Sequence, residues 1–199
     1  MPDLQQRGLC SAATRHPLVE AAHDLARDLL CGLDGRWQHT QGVADRAAAA
    51  APAVPEADRP VLIAAAWLHD IGYAEPLRRS TFHPLDGAWH LQEHHWPESL
   101  AGLVAHHSGA RFVADVRGLT PLMRRFPDSR YAVGPVADAL VYADQTTGPD
   151  GQLMDVEDRL ADMLRRHGPD SPNGRAHERR APAIRAAVAR TERRLRATN

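Results

Sequence analysis

The chain has 199 residues, of which 43% are hydrophobic and 25% are charged, and its formal net charge at pH 7 is −1. This length accommodates one sizeable hydrophobic core but is short for two. The near-neutral charge excludes a global electrostatic field that would attract a nucleic-acid polymer or an anionic membrane, and the longest apolar run, Val61 to Leu68, is too short to cross a bilayer.

Cysteine content and the N-terminal segment indicate the compartment. Cys10 and Cys31 form no CxxC pair, so a disulfide framework is excluded and two reduced thiols are expected. The segment from Met1 to His16 lacks a basic stretch followed by an apolar run, so we expect no signal peptide. The sequence therefore predicts a soluble, cytoplasmic protein.

Helix signals dominate the first half of the chain. Pro17 is suited to the first position of a helix, and Asp58 is suited to cap a strongly apolar helix that Gly72 ends. The predicted helices of this half cover residues 17–33, 36–51, 61–71, 85–95 and 98–107.

The second half of the chain continues the helical pattern. Predicted helices cover residues 119–125, 136–146, 155–167 and 181–196, and a loop rich in Gly and Pro follows residue 167. We find no internal repeat and no polar–apolar alternation long enough for a sheet. The predicted fold class is therefore all-α, a single helical bundle domain over residues 1–199 in which residues 155–199 form C-terminal accessory helices.

Histidine is the compositional outlier, with twelve residues in all and six of them within residues 83–107. The sharpest local feature is AAAWLHDIG, which places His69 and Asp70 at the C-terminal end of an apolar helix. These two side chains resist burial unless they are paired or ligated, and a carboxylate at a helix C-terminus opposes the helix dipole. The doublet therefore predicts a cation nearby, which both side chains can reach because Gly72 ends the helix.

With this doublet the chain resembles the HD superfamily of metal-dependent phosphohydrolases, whose pattern is H…HD…H…H…D. The resemblance covers about residues 36–150. The matching positions are His39 in WQHTQGVA, His69 and Asp70, His83 in FHPLDGA, His106 or His107 in LVAHHSGAR, and Asp144 in ALVYADQTTGPDG. His107 is preferred as the ligand because the family pattern usually places the ligand directly before a small or hydroxyl residue, while His106 stays open as a ligand or as a group that supports one.

The resemblance implies an HD-type bundle with a dinuclear metal site. Its six ligands would be His39, His69, Asp70, His83, His107 and Asp144. Six ligands are too many for one ion that keeps an open position, but they fit two ions about 3.5–4 Å apart with Asp70 as the bridge. Mixed imidazole and carboxylate ligands favour a divalent transition metal (Fe, Mn, Co, Ni or Zn) over Mg.

Further residues near the motif are candidates for catalysis and substrate binding. Arg111 lies four residues after His107 and would offer a fork to phosphate if that helix continues; the alternative is an exposed arginine. Tyr73 stands where some family members carry Lys or Glu, so the proton for a leaving group would come from Asp86, His106 or solvent. Asp86 could instead orient His83. The predicted catalytic set is Asp70, Asp86 and His106.

Three functions follow from these residues. The first is hydrolysis of a phosphomonoester or phosphoanhydride, with a nucleotide among the candidates, by a metal-activated water. The second is an HD-type di-iron oxygenase that cleaves a C–P or C–C bond with O₂, and the third is a non-catalytic protein that binds metal or ligand. In each case the expected partner is a small molecule, with no nucleic-acid polymer and no membrane, and a homodimer is left open.

Overall fold

The fold is taken from a computed structural model that describes residues 16–198, apart from the side chains of Asp34, Asp128 and Ser129. The prediction for the N-terminal segment and for Cys10 lies outside the described residues. Among those described, Cys31 is an exposed free thiol.

Helices account for most of the described chain. In order they are α1 Pro17–Leu30, α2 Asp34–Ala50, α3 Arg59–Leu68, α4 His83–Glu93, α5 Glu98–His106, α6 Ala110–Val116, α7 Thr120–Met123, α8 Asp128–Tyr131, α9 Pro135–Gln145, α10 Val156–His167 and α11 Pro172–Ala197. Within residues 16–198 the β-type pairing is limited to an isolated bridge between Thr147 and Leu153. The all-α prediction is confirmed. No helix in this part of the chain is long and apolar enough to cross a membrane.

The last helix is longer than the sequence predicted. The expected start near residue 181 is wrong, because α11 begins at Pro172, where the Ser171 hydroxyl accepts a hydrogen bond from the Gly174 amide. Pro182, which the pattern placed at a helix start, lies inside α11. A proline in that position removes one backbone hydrogen bond. The buried side chains of Ile184 and Val188, which pack in an apolar cluster, offset the loss of stability.

Helix α3 is the centre of the bundle. It packs against α1, α2, α5 and α9, and its residues from Leu62 to Ala66, together with Leu68, are all buried. The helix ends at Leu68, three residues earlier than predicted, so His69 and Asp70 follow its last turn directly. Burial on every side explains the continuous apolar run, and it means that the polar doublet emerges in the interior of the protein.

Gly72 allows two backbone segments to approach each other just after this doublet. A Cβ atom at this position would overlap the carbonyl oxygen of His83 and would lie 2.7 Å from the amide nitrogen of Gly87. The turn over Ile71–Tyr73 therefore packs directly on the first turns of α4. This contact sets the position of His83 relative to Asp70.

Gly72→Ala is expected to destabilise the protein by about 3 kcal/mol, because the overlap is with backbone that has no rotamer with which to move away. The measurement is the free energy of unfolding in urea. Gly32→Ala is the matched control, since a Cβ atom there meets nothing within 4 Å, and it should stay close to the wild type. Equal stability of the two variants would contradict the close approach at Gly72.

The C-terminal helices pack on α9, the helix that ends next to Asp144. Asp138 on α9 is buried and accepts two hydrogen bonds from Arg190 at 2.6 and 2.9 Å and one from Arg194 at 2.9 Å. A second apolar cluster joins Tyr142 of α9 to Leu160 of α10 and to residues of α11. These contacts hold α10 and α11 over one end of the bundle.

Candidate metal centre

Five separate segments deliver imidazoles and carboxylates to one place in the interior. The contributing residues are His39 on α2, His69 and Asp70 after α3, His83 at the start of α4, His107 after α5 and Asp144 near the end of α9. His83 is partly exposed, and the others are buried. The structure thus brings together all six side chains that the sequence predicted as metal ligands.

The Asp70 carboxylate lies between two groups of histidines. Its Oδ2 atom is 3.2 Å from Nε2 of His69 and 3.9 Å from Nε2 of His39, whereas its Oδ1 atom is 3.3 Å from Nε2 of His83 and 3.8 Å from Nε2 of His107. With Asp70 counted in both, the first group is His39, His69 and Asp70, and the second is Asp70, His83 and His107. Within each group the possible ligand atoms lie within 4.8 Å of one another. One carboxylate therefore faces two candidate cation positions, one with each oxygen.

Backbone carbonyl groups orient three of the imidazole rings. The Nδ1 atoms of His39, His69 and His107 lie 3.0, 2.7 and 2.7 Å from the carbonyl oxygens of Gly148, Ala66 and Val104, respectively. A carbonyl can only accept, so each Nδ1 carries the proton and donates it. The Nε2 atom of each ring then points into the cluster, which is the arrangement of histidines that bind metals.

Asp144 lies beside His39 of the first group and is held by several donors. Its Oδ1 atom is 3.0 Å from Nε2 of His39, and its Oδ2 atom accepts hydrogen bonds from Nε2 of Gln145 at 2.9 Å and from the Ser108 hydroxyl. Ser108 and Gly109 both have positive φ angles, of 51° and 69°. This left-handed turn ends α5 and directs the Ser108 hydroxyl at Asp144.

Electrostatics keep the acids of the cluster ionised and part of its histidines neutral. Burial alone would raise the pKa of Asp70, but the Arg36 guanidinium, 2.6 Å away, and the His69 imidazole lower it well below the usual range. Asp144 behaves in the same way because His39 outweighs its burial. Burial lowers the pKa of His107 to about 3, whereas the pKa of His69 is raised because Asp70 outweighs burial.

The residues present fit a divalent cation. The Nε2 atom of His69 is buried and has no hydrogen-bond partner among the described residues, although Asp70 is close. The Nε2 atoms of His83 and His107 lie only 3.2 Å apart. Ring nitrogens that converge beside ionised carboxylates are placed to bind a cation between them, and this donor set suits transition metals.

A cavity of about 100 Å³ opens beside the cluster, and several of its walls come from residues that the sequence did not single out. Arg36 lies three residues before His39 on the same face of α2. The remaining arginines belong to the C-terminal helices: Arg159 and Arg166 on α10, and Arg180 on α11. Arg159 belongs to the buried face of α10 with Leu160 and Met163. An arginine among the apolar positions of an amphipathic helix is visible in the sequence and could have pointed to Arg159.

Three predicted residues lie away from this cavity. Asp86 accepts hydrogen bonds from the amide and the hydroxyl of Ser80, both through Oδ1, so it does not orient His83. The Nε2 atom of His106 donates to the Phe126 carbonyl. The continued helix on which the role of Arg111 depended is broken at Ser108 and Gly109, and Arg111 lines a separate cavity.

The fold and the cluster define a class: an all-helical protein with a buried histidine–aspartate cluster that could hold metal ions. A model of the HD domain family matches residues 36–163, well over half of the chain, and the chain belongs to this family. The match extends beyond the predicted core of residues 36–150 to include the part of α10 that carries Arg159. Comparisons with curated proteins and with solved structures found no match.

Asp70→Asn is expected to reduce the metal content of the purified protein to a small fraction of the wild-type value. A neutral amide lacks the negative charge that would bind a cation at each of the two positions. Asp86→Asn is the matched control, since Asp86 is an equally buried carboxylate whose partner is Ser80. Elemental analysis of protein purified without chelators measures both variants. Full metal content in Asp70→Asn would reject Asp70 as the shared ligand.

Ser108→Ala should weaken metal binding about tenfold, because Asp144 loses a donor that orients it. Competition with a chromogenic chelator measures the affinity. Ser80→Ala removes the corresponding hydroxyl from Asp86 and should leave metal affinity unchanged. A Ser108→Ala affinity equal to that of the wild type would contradict an orienting role for this hydroxyl.

Proposed function

We propose that this protein is a metal-dependent phosphohydrolase that cleaves a small phosphomonoester or phosphoanhydride. Membership of the HD domain family supports metal-dependent hydrolysis as the type of reaction. The observation that carries the proposal is the position of Asp70 between two groups of histidines, which suits two cations at the spacing of about 3.5–4 Å found in two-metal hydrolases.

The residues divide naturally between two cation positions. His39, His69, Asp70 and Asp144 would hold one divalent ion, and Asp70, His83 and His107 would hold the other. Divalent ions in such a site lower the pKa of water and neutralise negative charge on a phosphoryl group. The chain itself needs no nucleophilic side chain for this reaction. Its contribution is to hold the ligands, the substrate and the leaving-group proton in place.

Tyr73 is a cavity residue that would donate a hydrogen bond to the leaving group. Its ring stacks on His83 with a centroid distance of 4.0 Å, and Arg36 lies 4.1 Å from its centroid. Burial, reinforced by Asp70, raises the pKa of Tyr73 to about 12, so the phenol stays a hydrogen-bond donor at neutral pH but is a weak acid. Asp86 and His106, the donors expected from the sequence, do not line this cavity.

The size of the cavity favours a small substrate. Its volume of about 100 Å³ is well below the roughly 300–1,000 Å³ typical of pockets that enclose drug-sized ligands. A short phosphorylated metabolite matches this volume better than a nucleotide, which was one of the candidates from the sequence. The cytoplasmic location, the phosphorylated partner and the oligomeric state stay predictions.

A phosphatase panel run under anaerobic conditions, with Mn²⁺ or Co²⁺ restored, tests the proposal. The wild type should release phosphate from at least one small phosphoester, and Asp70→Asn should lower kcat/KM at least about 1,000-fold, as removal of a central catalytic group does. Asp45→Asn, in which the altered residue lies on α2 outside the cavity, is the control with unchanged activity.

The other two hypotheses give different results in the same experiment. An iron-containing protein that forms product only in the presence of O₂ would overturn hydrolysis in favour of the oxygenase. Binding of metal and ligand with no turnover across the panel, with or without O₂, would overturn it in favour of a non-catalytic protein.

A further inference from the structure

A buried arginine without a hydrogen bond faces the cavity from α10. The side chain of Arg159 is 10% exposed, and its Nε atom is buried with no partner. Its nearest acidic atoms are Oδ1 of Asp144 and Oδ2 of Asp162, each 3.8 Å away and therefore beyond hydrogen-bond distance. The guanidinium therefore has two ion-pair partners but no hydrogen bond, and buried donors without hydrogen bonds are costly.

The other arginines around this cavity are all hydrogen-bonded. Arg36 donates to Asp70 at 2.6 Å, and Arg180 donates to the Ser108 carbonyl at 2.7 Å. Arg166, at the more exposed edge, donates to Asp162 at 2.7 Å. These three residues therefore have structural partners, whereas the donors of Arg159 are available to a molecule in the cavity.

The charge of the cavity selects an anion for that position. Four arginines line it against the two carboxylates of Asp70 and Asp144, so the fixed charge is positive before any metal ion is counted. The planar fork of a guanidinium matches two oxygens of a phosphoryl group. Since Arg159 lies 3.8 Å from Asp144, an anion bound to it would also lie beside the metal ligands.

We infer that Arg159 binds the non-bridging oxygens of the substrate's phosphoryl group and thereby determines specificity for small phosphomonoesters. The inference rests on the proposed function for the identity of the anion. It assigns to Arg159 on α10 the phosphate-binding role that the sequence analysis expected of Arg111. It also explains why an arginine is placed on the buried face of a helix whose neighbouring buried positions are Leu160 and Met163.

Binding of inorganic phosphate to the metal-loaded full-length protein, measured by titration calorimetry, tests this role. Arg159→Gln should raise the phosphate Kd about 10- to 100-fold, the loss expected for charged hydrogen bonds, with unchanged metal content. The phosphate Kd of Arg159→Lys should lie between those of the wild type and Arg159→Gln, because lysine restores the charge but not the planar pair of donors. Arg165→Gln, on the same helix but 69% exposed, is the control and should bind like the wild type.

The possible outcomes separate this inference from the proposed function. An unchanged phosphate Kd in folded Arg159→Gln and Arg159→Lys would overturn the inference even if phosphoesters are hydrolysed. Phosphate binding that depends on Arg159, without hydrolysis of any phosphoester, would support it while overturning the proposed function. If neither variant folds and loads metal, as judged by thermal unfolding and elemental analysis, Arg159 is structural and the inference is wrong.

Discussion

The structure depends on burying one ionised carboxylate, Asp70, at the centre of a helical bundle. Burial opposes ionisation, yet Arg36 and His69 keep the group charged. Its two oxygens face different histidines: Oδ2 faces the adjacent His69, and Oδ1 faces His83 at the start of α4. Such a cluster is unfavourable by itself, so the helices that pack around α3 hold it in place, and the binding of cations would convert its converging lone pairs into favourable contacts.

The C-terminal helices turn this cluster into a cavity with a preference for anions. Asp138, paired with Arg190 and Arg194, anchors α11 on α9, and α10 joins the apolar cluster between these two helices through Leu160. This arrangement places Arg159 and Arg180 opposite the metal ligands. Arg180 also donates to the Ser108 carbonyl, so the same helix that closes the cavity supports the turn that orients Asp144.

Two expected contacts, those of Arg111 and Asp86, are not formed, for physical reasons that a one-dimensional pattern does not carry. The interpretation of Arg111 assumed a helix that continued beyond His107, but two residues in left-handed conformation redirect the chain. Asp86 follows His83 by three residues, yet its carboxylate caps the segment around Ser80 instead of the imidazole. In both cases the spacing along the chain was compatible with the predicted contact, and local backbone geometry decided against it.

The sequence by itself determined the all-α class, most helix positions and the six residues that meet in the candidate metal centre. It could do so because helical periodicity is local, and because histidine and aspartate beside apolar runs are costly to bury unless they are paired or ligated. Only the tertiary structure decided which oxygen of Asp70 faces which histidine, that Tyr73 stacks on His83, and that Arg159 rather than Arg111 faces the cavity. Those facts depend on the packing of helices far apart in the chain, where a shift of one turn replaces one side chain with another.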